Sequence, residues 1–219
     1  MSNLILAIDT TSEFGSLALM ESQRLIEEVS LHSPDGFAHV LFGEIERLLA
    51  RHGITLNDLG GFAAASGPGS FTGVRVGLTA AKGLADATGQ RVVGVSNLKA
   101  LAWFGTRPLR APVIDARRGE VFGAVYDSAL QLVQDEVVMP FPDWVKSLPT
   151  DDLELITNGF PVHAGEIPVL LAAKDLARAV GSIAAAAFAA GEGMDPAEID
   201  ANYVRRSDAE KLWKDPGAR

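Results

Sequence analysis

The residues best equipped for chemistry fall in four places. These are the turn Asp9-Thr10-Thr11-Ser12, the glycine-rich run Ser66-Gly67-Pro68-Gly69-Ser70-Phe71-Thr72-Gly73-Val74-Arg75, the turn Asp115-Ala116-Arg117-Arg118-Gly119-Glu120, and the histidines His32, His39, His52 and His163. Glycines and hydroxyls ahead of a helix suit phosphate binding, but the spacing fails each known pattern. A P-loop ends in Gly-Lys-Ser/Thr, whereas Gly73 is followed by Val74-Arg75. A dinucleotide fingerprint needs glycine three residues after Gly69, where Thr72 stands, and a nucleophile elbow needs Gly-x-Ser-x-Gly, which Gly69-Ser70-Phe71 does not give. No two histidines stand at helical ligand spacing, and His39 and Glu44, five apart, point to different faces, so no protein metal site is expected. No Ser/His/Asp trio assembles from spacing. The carboxylates Glu120, Asp127, Asp151 and Asp152 read as solvated turn charges.

The totals narrow the classes further. The chain has 219 residues, 47% hydrophobic and 21% charged, enough for one large domain or two small ones. Nineteen basic against twenty-eight acidic residues give a net charge of −9, which repels nucleic-acid phosphates. Arg107, Arg110, Arg117 and Arg118 are the residues that would have to form a local basic patch. There is no cysteine, hence no disulfide, thiolate metal site or cysteine nucleophile. With neither a leader-like N-terminus nor a run of membrane-spanning length, a cytoplasmic protein is expected.

The elements that must position these residues follow the apolar pattern. Leu4–Ile8 is a buried strand, Gly15–Met20 runs back, and Leu25–Leu31 supplies a third strand. Pro34-Asp35-Gly36 turns the chain into a helix from about Phe37 to His52, with Leu41, Ile45, Leu48 and Leu49 as its apolar stripe. Phe37 and Val40 lie partly off that stripe and are expected to face solvent or a partner. A strand (Phe62–Ala65), a glycine-rich helix (about Thr72–Ala87) capped by Ser70 or Thr72, a strand (Arg91–Val95) and a short helix from Ser96 complete the first half. Gly73, Gly77 and Gly83 each cost that helix roughly 0.5–1 kcal/mol against alanine, so another backbone is expected close by.

Gly105-Thr106-Arg107-Pro108 breaks the pattern and divides a first lobe, residues 1–105, from a second, 106–219. The second repeats the order. Ala111–Ile114 ends at Asp115 as Ile8 ends at Asp9, Val121–Tyr126 echoes Phe14–Leu19, and a third strand covers about Leu130–Met139. Phe141–Leu148 is a short helix, Leu153–Thr157 a strand and Asp175–Ala190 an alanine-rich helix. Asn202–Arg206 is an extended stretch fit to add a strand edge or cross the domain junction, and Ser207–Arg219 is polar and frayed. A duplicated β-β-β-α-β-α unit describes an α/β fold of the actin/Hsp70-like (ASKHA, ribonuclease H-like) type in two lobes. In ATP-using members of that fold the two first turns hold phosphate and an acid helps place magnesium. Here Asp9, Thr10, Thr11, Asp115 and Arg118 occupy those turns, but the first lacks the close glycine that lets N–H groups reach phosphate. These turns are read as vestigial, with no cofactor.

Ile8-Asp9-Thr10-Thr11, Gly67-Pro68-Gly69-Ser70-Phe71-Thr72-Gly73-Val74-Arg75, Gly77-Leu78, Ala81-Lys82-Gly83-Leu84, Val93-Gly94-Val95-Ser96-Asn97-Leu98, Asp115-Ala116-Arg117-Arg118-Gly119-Glu120-Val121 and Tyr203-Val204-Arg205 together resemble the TsaB (YeaZ) family. The resemblance implies a two-lobed actin-like protein with no catalytic site of its own. Its expected role is to bind and activate TsaD in making N6-threonylcarbamoyladenosine at tRNA position 37, beside the ATPase TsaE. It also implies a homodimer when alone, with tRNA reached only through the complex and no membrane. The family is grouped with M22-type glycoproteases, a label that these residues do not support. Carried onto this chain, the family's partner surface lies on the two long helices of the first lobe, at Phe37, Val40, Glu44, Thr72, Arg75, Val76, Gly77 and Ala80. Gly36-Phe37-Ala38 departs from the more polar, histidine-containing run that members often carry there. The alternative reading is an autonomous actin-fold ATPase or kinase, or an M22-type glycoprotease.

Overall fold

Strand β1 (Leu4–Asp9) is buried along nearly its whole length because a strand pairs with each of its edges and helices cover both its faces. The computed structural model describes residues 2–150, 152–162 and 165–204, so expectations placed on Asp151, His163 and everything after Val204 lie outside it. From β1 the chain returns antiparallel as β2 (Phe14–Glu21), with Ala7 opposite Ala18, and continues into β3 (Arg24–His32) at the sheet edge. Helix α1 (Leu41–Arg51) leads to β4 (Gly61–Gly67), which pairs parallel with β1. Helix α2 (Phe71–Thr88) returns the chain to β5 (Arg91–Ser96), parallel to β4, and α3 (Asn97–Ala102) follows. The small apolar runs in β1 and β4 suit strands buried on both faces. The sheet order is β3-β2-β1-β4-β5.

The second half builds β6 (Leu109–Arg117), β7 (Glu120–Asp127), β8 (Leu132–Pro140), α4 (Phe141–Ser147), β9 (Leu153–Thr157), β10 (Val169–Leu171) and α5 (Ala177–Ala189). Its sheet runs β10-β9-β6-β7-β8, which is the first sheet's order read from the other edge. The duplication is therefore real, with one correction to its register. Helix α5 follows β10, so its counterpart is α3, not α2. Among the described residues no helix joins β9 to β10; Phe160, Val162 and Ile167 pack there against the core around Trp144 instead.

The two late helices are exchanged between the sheets. Helix α3 reaches across to β6, β7 and β9, whereas α5 lies on β1, β2, β4 and β5. The first sheet is thus covered by α1 and α2 on one face and by α5 on the other. Helix α5 lies close because its inner face is small: a Cβ at Gly181 would sit 2.7 Å from Met20 Cγ. Leu176 offers α5 no side-chain cap, so the orphan amides of its first turn are met by the first lobe. Ala177 N donates to Ser16 Oγ at 3.0 Å and Arg178 N to Glu28 at 2.9 Å. Burial, ahead of the nearby Asp175 charge, holds the Glu28 carboxyl above its ordinary range.

Candidate functional site

The first turn is closed from within. Asp9 is 1% exposed and accepts from Thr11 N (2.9 Å) and Thr11 Oγ1 (2.6 Å). Thr11 Oγ1 in turn accepts from Asn97 Nδ2, and Asn97 Oδ1 accepts from Gly67 N at 2.9 Å. Burial pushes the Asp9 carboxyl up to about 6, against the Thr11 hydrogen bonds that hold it down. The start of α2 fills the space around this turn. Ser70 caps the helix by accepting from Gly73 N, Ser70 N donates to Thr11 O at 2.7 Å, and Thr10 Oγ1 donates to Gly73 O at 2.7 Å. A Cβ at Gly69 would lie 2.7 Å from Thr11 O, one at Gly77 would lie 2.5 Å from Thr10 Oγ1, and one at Gly73 would collide with the Thr10 carbonyl. The close backbone expected beside these glycines is therefore the chain's own Asp9–Thr11 turn.

The second turn differs in environment. Asp115 is partly exposed and caps its own hairpin, accepting from Arg117 N at 2.7 Å and pairing with the Arg117 guanidinium at 3.3 Å. Arg117, Arg118 and Gly119 all take left-handed backbone angles there. The structure thus does not bring Asp9 and Asp115 into matching sites. Three of the four arginines expected to form a basic patch are engaged within the chain. Arg107 pairs with Asp152, Arg110 donates to the Arg107 and Ala102 carbonyls, and Arg117 is held by Asp115. Among the described residues no cluster of His, Asp and Glu could hold a metal ion.

What stands open is the seam between α1 and α2. A groove of about 460 Å³ is lined there by Leu41, Phe42, Phe71, Thr72, Arg75 and Val76, and it reaches Ala38, Thr79 and Ala80. Phe42 also borders a second hollow of about 230 Å³ farther along the seam, between Ile45 and Leu84. Phe42 is 57% and Phe71 53% exposed, an unusual cost for two aromatic rings unless something covers them.

Of the residues expected on this surface, Thr72, Arg75, Val76 and Ala80 do line the groove. Phe37 does not: at 3% exposure it packs under α1, its ring against Gly15, because α1 starts at Leu41 and residues 33–40 form a turn that folds Phe37 inward. Val40 is the half-buried N-cap of α1, Glu44 is held by Arg47 outside the groove lining, and Gly77 faces Thr10. Sequence reasoning missed Phe42 and Phe71. Phe42 was readable, since it sits one residue past the Leu41 stripe and faces away from it.

The chain's terminal stretch does cross the junction, as expected for Asn202. Asn202 N donates to Ser66 O at 2.8 Å and its Nδ2 to Glu136 of β8 at 2.6 Å. Glu136 also accepts from Ser96 Oγ, the α3 cap, and from Tyr126 OH at 2.7 Å. Burial and the Glu136 charge raise the Tyr126 hydroxyl far above its ordinary range.

Comparison with known proteins agrees with this architecture. A family model described as TsaD, tRNA N6-adenosine threonylcarbamoyltransferase, matches residues 35–149. The tRNA threonylcarbamoyladenosine biosynthesis protein TsaB of Bacillus subtilis is 34% identical over 161 residues, covering 71% of this chain and 70% of its own length. The TsaB protein of Escherichia coli is 39% identical over 128 residues, covering 56% of this chain and 54% of its own. YeaZ from Pseudomonas aeruginosa superposes with a TM-score of 0.78 at 28% identity, over 93% of this chain and all of that one. With the fold, the length and the sequence in agreement, the chain belongs to the TsaB (YeaZ) family.

Proposed function

We propose that this protein serves the biosynthesis of threonylcarbamoyladenosine in tRNA as a non-catalytic subunit that binds and activates a TsaD-type threonylcarbamoyltransferase, with a TsaE-type ATPase in the same machinery and a homodimer when alone. The observation that carries the reading is the open α1/α2 groove with Phe42 and Phe71 exposed along it. Two further observations support it. The turn that would hold phosphate in an actin-like ATPase has its carboxylate engaged by Thr11 and its surroundings filled by α2. Arg107, Arg117 and Arg110 near the junction are engaged by Asp152, Asp115 and backbone carbonyls, which supports a tRNA met through the partner.

Analytical ultracentrifugation of the full chain with the TsaD-type subunit tests this. The wild-type chain is expected to form a heterodimer, and Phe42→Asp to abolish it while leaving the thermal melt unchanged. A folded Phe42→Asp variant that binds as well as wild type would remove the groove from the interface. The purified chain alone is expected to show no ATP turnover above buffer; sustained hydrolysis would restore the enzyme reading.

A further inference from the structure

After α5 the chain runs back along the first sheet to the head of α2. Met194 exchanges backbone hydrogen bonds with Val92 of β5, at 3.1 and 2.9 Å. Ile199 is buried in the room that Gly94 leaves, where a Cβ would lie 2.9 Å from Ile199 Cδ1. Its carbonyl accepts from Lys82 Nζ of α2 at 2.8 Å, and Asn202 N then donates to Ser66 O of β4 at 2.8 Å. Residues 194–203 are therefore a strap, fastened along the first half of the molecule.

Two adjacent side chains of the strap hold different parts of the protein. Asn202 reaches the second sheet, its Nδ2 donating to Glu136 Oε2 of β8 at 2.6 Å. The other oxygen of that carboxylate accepts from Ser96 Oγ and Tyr126 OH. Tyr203 reaches α2. Its hydroxyl accepts from Arg75 Nε at 3.1 Å, and its ring lies 6.0 Å from that of Phe71, over which the Arg75 guanidinium stands at 3.6 Å. One peptide unit thus joins the junction of the two sheets to the head of α2. Asn202 is its firm end, because a hydrogen bond to a carboxylate is among the stronger kinds. Its backbone also has little room, since a Cβ at Gly67 would lie 3.1 Å from the Asn202 carbonyl oxygen. Tyr203 is half exposed, and its ring stays where the residue before it is anchored. A contact that pulls Tyr203 therefore strains Asn202 against Gly67 or draws its amide from Glu136. By the reciprocity of coupled equilibria, release of that amide loosens Tyr203.

We propose that Asn202 and Tyr203 form a coupling device with two states, clasped on Glu136 and released. A contact that draws Phe71 or Arg75 away from Tyr203 is felt as a loosening of the clasp between the sheets, and release of the clasp frees the head of α2. The coupling belongs to the chain alone, so it stands or falls apart from the partner reading above.

The chain has two tyrosines, Tyr126 and Tyr203, and they sit at the two ends of this link. The full chain labelled with 3-fluorotyrosine gives one fluorine resonance from each, assigned with Tyr203→Phe, and every variant is first checked by thermal melt. Phe71→Ala, made at the α2 end, is expected to shift the Tyr126 resonance in the otherwise wild-type chain and to leave it in place once Asn202→Ala has removed the clasp. Asn202→Ala alone is expected to sharpen the Tyr203 signal. It is also expected to quicken amide hydrogen exchange across residues 198–204 and 70–76 about tenfold, the loss of one hydrogen bond to a carboxylate. Asn202→Asp sets a second carboxylate against Glu136 and is expected to release the strap in the same way. Adding Glu136→Gln to it exchanges donor and acceptor while leaving an oxygen for Ser96 and Tyr126, and is expected to restore slow exchange, a rescue that general loss of stability would not give. A Tyr126 resonance that ignores Phe71→Ala, or that responds equally after Asn202→Ala, overturns the coupling. So does exchange that quickens in the strap but not in residues 70–76.

Discussion

Asp9 is the residue where burial and charge conflict most. Its carboxyl titrates at about 6 in the folded chain against an ordinary 3.8, so folding favours the protonated form. Below about pH 4 both states hold the proton and the folded state has its full advantage. Between about 4 and 6 only the unfolded chain releases it, so stability falls as pH rises. Above 6 the ionised, buried Asp9 has lost the fold about 3 kcal/mol. Denaturant unfolding of wild type and Asp9→Asn at pH 4.5 and 7.5 is expected to show the variant losing less stability on the alkaline side by about 2 kcal/mol, since part of the loss is already present at pH 4.5; parallel pH profiles would contradict it. The side chains that matter most were unevenly legible. Asp9 announced itself by its place after an apolar run. Phe37 was misplaced, because the sequence does not say that the helix starts four residues after it, and that start decides that its ring turns inward.

At the scale of elements, α2 shows how similar glycines do different work. Gly73 faces the Thr10 carbonyl, a backbone atom that cannot step aside, and Gly73→Ala is expected to destabilise the chain by about 2 kcal/mol or more. Gly83 is exposed, with nothing within 4 Å of its would-be Cβ, and Gly83→Ala is expected to stabilise the helix by roughly 0.5–1 kcal/mol. Thermal and denaturant melts of the two variants should move in opposite directions. The sequence made the density of glycine visible, and with it the close packing, but not its partner, since Thr10 lies more than sixty residues away in the chain. Strands that are continuous apolar runs, such as β1 and β4, were readable for the same reason that they are buried. Strand β10 was not, because three residues carry no period, and missing it moved α5 to the wrong place in the repeat.

The whole molecule is held at its waist by Glu136, which gathers donors from Ser96, Tyr126 and Asn202, and by Asn97, which ties α3 to Thr11 and Gly67. Glu136→Ala would leave the buried Tyr126 hydroxyl without its acceptor, and a loss of about 1–3 kcal/mol in calorimetric stability is expected. The exchange of helices at that waist also governs how the protein is made. The first sheet is complete at Ser96, yet the helix that covers one of its faces begins at Ala177. A ribosome adding about 5–20 residues per second therefore leaves the apolar side of β1, β2 and β4 bare for roughly 4–16 seconds. The nascent amino-terminal half is an unfinished domain during that interval, a substrate for a holding chaperone, and its maturation waits for the synthesis of α5.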